Sequence, residues 1–171
     1  MAWRSSNVMQ DRVLASLTYI MPILDVLGLG TFLFLLFPPL QWLFLPLFYL
    51  VPIYSIGIVQ MGLFFGLFIG VVRNSNCSHF LRFNTMQALL LGILVALLNI
   101  ALEFLGLSQR LLIVGYGGLS NSGVTEIIMA VCLSAIFVFV AGASIYAIVQ
   151  SLRGEYPDIP IISEAVSAQV R

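Results

Sequence analysis

Residues 13–72 read VLASLTYIMPILDVLGLGTFLFLLFPPLQWLFLPLFYLVPIYSIGIVQMGLFFGLFIGVV, sixty residues whose only charge is Asp25. A helix needs about 20 apolar residues to cross a hydrocarbon core of about 30 Å, so this stretch has room for two long spans or three short ones. Prolines break it up. Pro38-Pro39, Pro46 and Pro52 each remove a backbone donor and disfavour helix in the residue before. They set span one at about 13–37 and span two at about 50–72, with a connector rich in proline and aromatics between them. Two further apolar runs, about 84–102 and 124–150, complete the transmembrane domain; a short polar segment, 1–12, precedes it and a tail, 151–171, follows. The expected fold class is all-α: a polytopic membrane protein with four transmembrane helices in a bundle.

Composition and charge agree with that expectation. Hydrophobic residues make up 61% of the chain and charged residues 8%, against roughly 45–50% and 25% in a soluble domain. The formal net charge is zero, which leaves no basic field to hold nucleic acid. Positive residues in short loops favour the cytoplasmic side of a membrane. Four spans place Arg4, Arg12, Arg73, Arg82, Arg153 and Arg171 on one side and only Arg110 on the other, whereas five spans would divide them. Both termini and the loop RNSNCSHFLRF at 73–83 are therefore expected inside.

In span two, Gly62, Gly66 and Gly70 form two consecutive GxxxG steps. Four-residue spacing aligns them on one helix face, where another backbone can come close. Packing inside the bundle is the commoner use of such a face; contact with a second copy, giving a homo-oligomer, is the sharper one. Ala130, Ser134, Ala141, Ala143 and Ala147 offer a matching set of small residues on span four. Asp25 is the one acid well inside an apolar run, and an intramembrane carboxylate is expensive. Pro22 before it, with Gly28 and Gly30 after it, favours a helix break that sets Asp25 near the outer interface, accepting hydrogen bonds from a helix start. The alternative is a functional carboxylate within the membrane. Asn84 with Gln87, and Asn99 with Glu103, place polar groups along span three, where they bond to a neighbouring helix or line a hydrated passage.

Catalytic chemistry finds no constellation in this sequence. His79 is the only histidine and has only Cys77 near it in the sequence, too few ligands for a metal site, so none is expected. Ser75 and Ser78 lack a base and an orienting group, and neither a catalytic residue nor a cofactor is assigned. Cys77 lies in a polar loop and Cys132 in the middle of a span, which argues against a disulfide. In the tail SLRGEYPDIPIISEAVSAQVR, Gly154 can stop the fourth helix, Pro157 and Pro160 hold the chain extended, and a short helix follows. That tail hugs the membrane or docks a partner. Arg73, Arg82 and Arg153 are the candidate partner contacts; Arg82 is either an orientation charge or a specific contact that lysine could not replace.

SLTYIMPILD at 16–25, VVRN…HFLRFNTMQALLL across 71–91 and QSLRGEYPDIPIISEA at 150–165 occur in that order. In sequence and spacing they resemble the family of the roughly twenty-kilodalton subunit of the translocon at the inner envelope membrane of chloroplasts, with its cyanobacterial and plastid-encoded relatives. The resemblance covers about 11–165 and implies four spans with both termini on the cytoplasmic or stromal side. It also implies other translocon subunits, membrane lipid and a translocating polypeptide as partners, and it brings no catalytic residues. MAWRSSNVMQDR resembles neither a signal peptide nor a transit peptide. That suggests either numbering from a mature end or synthesis in the compartment of insertion, as for a cyanobacterial plasma membrane protein or a plastid-encoded inner envelope protein. The expected function is a non-enzymatic subunit contributing to a preprotein-conducting passage or its wall. Its rivals are an assembly scaffold without a passage and a small-solute transporter, the latter disfavoured by the lack of an internal repeat.

Overall fold

The structure, a computed structural model, describes residues 9–105, 123–159 and 162–169. Every regular element among the described residues is a helix. Arg4, Arg171 and nearly all of the loop between the third and fourth spans, with Arg110, lie outside them.

Pro22 has no N–H to offer the Thr18 carbonyl, and span one is jointed there into α1 (Met9–Thr18) and α2 (Ile20–Val26), with Tyr19 at the joint. Leu27–Gly30 then tightens into a 3-10 turn before α3 (Thr31–Leu36). Gly30 serves close approach: a Cβ there would stand 2.9 Å from the Phe137 ring. Phe37 is extended, as a residue before proline prefers, and Pro38 opens α4 (Pro38–Phe48). The connector between the first two spans is thus itself helical. Prolines in a first turn permit that, and α4 ends two residues after its interior Pro46.

A short α5 (Val51–Tyr54) leads to α6 (Gly57–Leu67), which continues as a π-helical turn, Phe68–Val72. The second apolar helix, Gly57–Val72, is therefore shorter than the expected 50–72, because the chain turns at Ser55-Ile56. Ser78 caps α7 (His79–Phe104): its Oγ accepts the Leu81 N–H at 3.3 Å, starting the helix ahead of the expected 84. In α8 (Val124–Arg153), Gly154 ends the helix at φ +83°, its N–H turned back to the Gln150 and Ser151 carbonyls. The tail closes with α9 (Ile162–Gln169). Among the described residues three helical units are long and apolar enough to cross a membrane (Met9–Leu36, His79–Phe104 and Glu126–Arg153), and Gly57–Val72 is a shorter fourth.

α1 and α2 pack against both α7 and α8, while α6 lies at the edge with no residue buried. Phe34, Phe44 and Phe137 pack together in the main core with Ile23, Val26 and Val140, their centroids 5.3–5.9 Å apart. Burial is inverted relative to a soluble protein. Asn84, Thr85, Gln87, Ser144 and Ser151 are fully enclosed, whereas Ile58 and Phe104 are 84% and 89% exposed. Lipid accepts the apolar surface, and Asn84, Gln87 and Ser151 find partners within, while the Thr85 and Ser144 hydroxyls have none among the described residues. The chain is an integral membrane bundle.

Candidate functional site

Tyr19, Asn84, Gln87 and Ser151 converge where α1 meets α2. Asn84 and Gln87, three apart on α7, share a helix face, and Ser151 sits three residues before the glycine that ends α8. The Tyr19 hydroxyl lies 3.1 Å from Asn84 Oδ1 and 2.9 Å from Gln87 Oε1, and Ser151 Oγ donates to Asn84 Oδ1 at 2.8 Å. Both amide nitrogens are committed: Asn84 Nδ2 donates to the Phe80 carbonyl at 2.8 Å and Gln87 Nε2 to the Pro157 carbonyl at 3.4 Å. Both amide oxygens therefore face the phenol, which has one proton for the two of them. Asn84 already has Ser151, so Gln87 depends on Tyr19.

The tail completes this cluster. Pro157 and Ile159 are buried against the bundle. Tyr156 meets Phe80 and Phe83 edge-on, each at 5.2 Å, and its hydroxyl lies 3.3 Å from His79 Nδ1. Partial burial pushes the Tyr156 phenol above its ordinary pKa. Ser163 Oγ donates to Asp158 Oδ1 at 2.7 Å, and Val166 of α9 packs in one cluster with Val72, Phe83 and Met86.

Asp25 stands apart from that cluster. No helix start reaches it: its Oδ1 accepts from Tyr54 Oη at 2.8 Å and Gln60 Nε2 at 2.9 Å. The expected placement among helix-start N–H groups is thereby replaced by two side chains beyond the connector, which folds back on α2. Asp25 also lines a cleft of about 280 Å³ between α6 and α7, shared with Met21, Gln60, Phe64, Gly92 and Ala96.

The other sequence candidates disperse. Asn99 is exposed on α7, twelve residues (about 18 Å) beyond Gln87. Asp25, Asn84, Gln87 and Asn99 thus form no single line. Gly62, Gly66 and Gly70 are exposed, and a Cβ at any of them would meet nothing within 4 Å. At 100° per residue they lie on the side of the helix opposite Gln60 and Phe64, which turn toward the cleft. Arg82 Nε donates to the Val72 carbonyl at 2.9 Å, capping the second apolar helix. The Arg12 guanidinium lies over Gly154, where a Cβ would stand 2.7 Å from it. Arg73 and Arg153 are exposed beside these contacts, so Arg12, Arg73, Arg82 and Arg153 gather at one end of the bundle.

Four participants went unsuspected in the sequence: Tyr19, Tyr54, Gln60 and Ser151. Gln60 carried a signal, as the one amide in the apolar run Ile56–Val72. Tyr19, Tyr54 and Ser151 carry no local mark of a buried partner in the sequence.

The profile of the Tic20-like family of the chloroplast import apparatus matches residues 8–166. A Tic20 family protein of Synechocystis sp. is 36% identical over the whole of this chain and 99% of its own length. The chloroplastic protein TIC 20-II of Arabidopsis thaliana is 35% identical over 94% of this chain and 72% of its own. The Tic20 family protein Ycf60 of Porphyra purpurea is 29% identical over 67% of this chain and 51% of its own. The matched region takes in Tyr19, Asp25, the α7 amides and the tail that Gln87 holds, so the whole arrangement described above lies inside it, and the chain belongs to the Tic20-like family.

Proposed function

We propose that this chain is a non-enzymatic, multi-pass subunit of a protein-translocation complex, in a cyanobacterial plasma membrane or a plastid inner envelope, and that its bundle is part of the wall of a passage. The observation that carries the first half is the family match across residues 8–166, spans and tail together. The wall reading draws support from the cluster at Tyr19. Asn84 and Gln87 are enclosed and bonded within that cluster, so neither of these two amides faces a lumen within one bundle. Surfaces available to a moving polypeptide are the exposed ones: Asn99 on α7 and the glycine face of α6.

Photo-crosslinking from single positions to a polypeptide arrested in transit tests this. Asn99 and Gly66 are expected to crosslink, and Asn84 and Gln87 to stay silent. Crosslinks from Asn84 or Gln87 would instead indicate a passage through the bundle. Silence at every exposed position, with intact co-purification of other subunits, would support the scaffold reading.

A further inference from the structure

The cleft between α6 and α7 holds a carboxylate half used by the protein. Asp25 Oδ1 carries both hydrogen bonds, from Tyr54 and Gln60. Its Oδ2 carries none among the described residues and lies at the cleft wall, 3.4 Å from where a Cβ of Gly92 would be. An ionised or hydrogen-bonding group at membrane depth is costly unless it meets a partner. The other walls have the character of a helix seat. Gly92 and Ala96 make a small-xxx-small step on α7, and beyond Asp25 Oδ2 nothing lies within 4 Å of a Cβ at Gly92. Such a step lets another backbone come close. Met21 and Met61 add adaptable apolar surface on either side.

We propose that this cleft seats a membrane-spanning helix of a different subunit, one that carries a lysine or arginine at the depth of Asp25. The inference rests on the reading of this chain as a member of a multi-subunit complex. Charge complementarity selects the occupant. Residues 13–72, 83–109 and 124–152 contain no Lys, Arg or His, so a second copy of this chain has no cation to offer at that depth. A lipid headgroup does not reach it either, since Asp25 sits near the middle of the apolar unit Met9–Leu36. On binding, the incoming ammonium or guanidinium donates to Oδ2 while Tyr54 and Gln60 keep Oδ1 fixed, and Gly92 admits the helix backbone.

The test uses the full chain in nanodiscs, with Cys77→Ser and a donor dye on Cys132, which is exposed on α8 outside the cleft lining. The probes are synthetic leucine–alanine transmembrane peptides carrying an acceptor dye. They differ only in the central residue: lysine, glutamine or leucine, with a fourth peptide whose lysine is moved two turns away. The central-lysine peptide is expected to bind about tenfold more tightly than the leucine peptide. Asp25→Asn, which retains an oxygen for Tyr54 and Gln60, should erase that preference, and Gly92→Leu should weaken all four peptides. Equal binding of the lysine and leucine peptides, or a lysine preference that survives Asp25→Asn, overturns the proposal. Equal gain from glutamine and lysine overturns the requirement for a cation. Because no translocation is measured, a negative result here leaves the crosslinking test of the passage wall untouched.

Discussion

Tyr19 holds a cluster in which hydroxyl protons and amide oxygens are matched one to one. Two hydroxyl protons, from Tyr19 and Ser151, serve two amide oxygens, those of Asn84 and Gln87. Removing either hydroxyl starves one enclosed acceptor, and a buried unmet group costs about 1–3 kcal/mol. Tyr19→Phe and Ser151→Ala are therefore expected to lower the thermal midpoint of the purified chain by similar amounts. Adding Gln87→Met to Tyr19→Phe should recover part of the loss, since the stranded acceptor goes with the lost donor. An unchanged midpoint for both single variants would show that water enters the cluster. None of this pairing could be read from the chain. Asn84 and Gln87 stood out as amides in an apolar run, but their partners lie 65–68 positions away, and only packing brings them within reach.

Among the elements, two glycine-bearing helices separate close approach from mere spacing. Gly30 sits under the Phe137 ring, and that ring is fixed by Phe34 and Phe44. Gly30→Ala must displace it, at about 1–3 kcal/mol. Gly66 has open space instead. Gly66→Leu is therefore expected to leave the melting of the isolated chain unchanged while Gly30→Ala lowers it; calorimetry in detergent compares the two. A loss with Gly66→Leu in the isolated chain would show that the face is covered within one molecule. Four-residue spacing in the sequence aligns the glycines on one face of α6 but cannot say which way that face turns, because apolar residues flank it on both sides; in the structure it meets nothing within the bundle. Helix ends were more legible. Gly154 and the prolines act through local backbone geometry, so their neighbours in sequence suffice to place them, while the short second helix depends on how the connector folds back to bring Tyr54 and Gln60 to Asp25.

For the molecule as a whole, the gathering of Arg12, Arg73, Arg82 and Arg153 at one end fits an even number of crossings between 12 and 73. Cys77 is partly buried in the loop at that end, and Cys132 is exposed along α8, about 12 Å from its start. In sealed right-side-out membranes an impermeant thiol reagent should leave both untouched. Opening the inner face should release Cys77 alone, and a lipid-soluble maleimide should reach Cys132. Labelling of Cys77 from outside without disruption would overturn the orientation. The contacts that complete this end also run from one end of the chain to the other: Arg12 rests on Gly154, and Tyr19 shares Asn84 with Ser151. A ribosome makes α1 long before it makes Ser151. Until then Tyr19 and the α7 amides lack their last donor, and the groove that receives Pro157 stands empty. The first helix to enter the membrane is thus the last to be fastened, and the half-made protein spends its synthesis as an open clasp that only the arriving tail can shut.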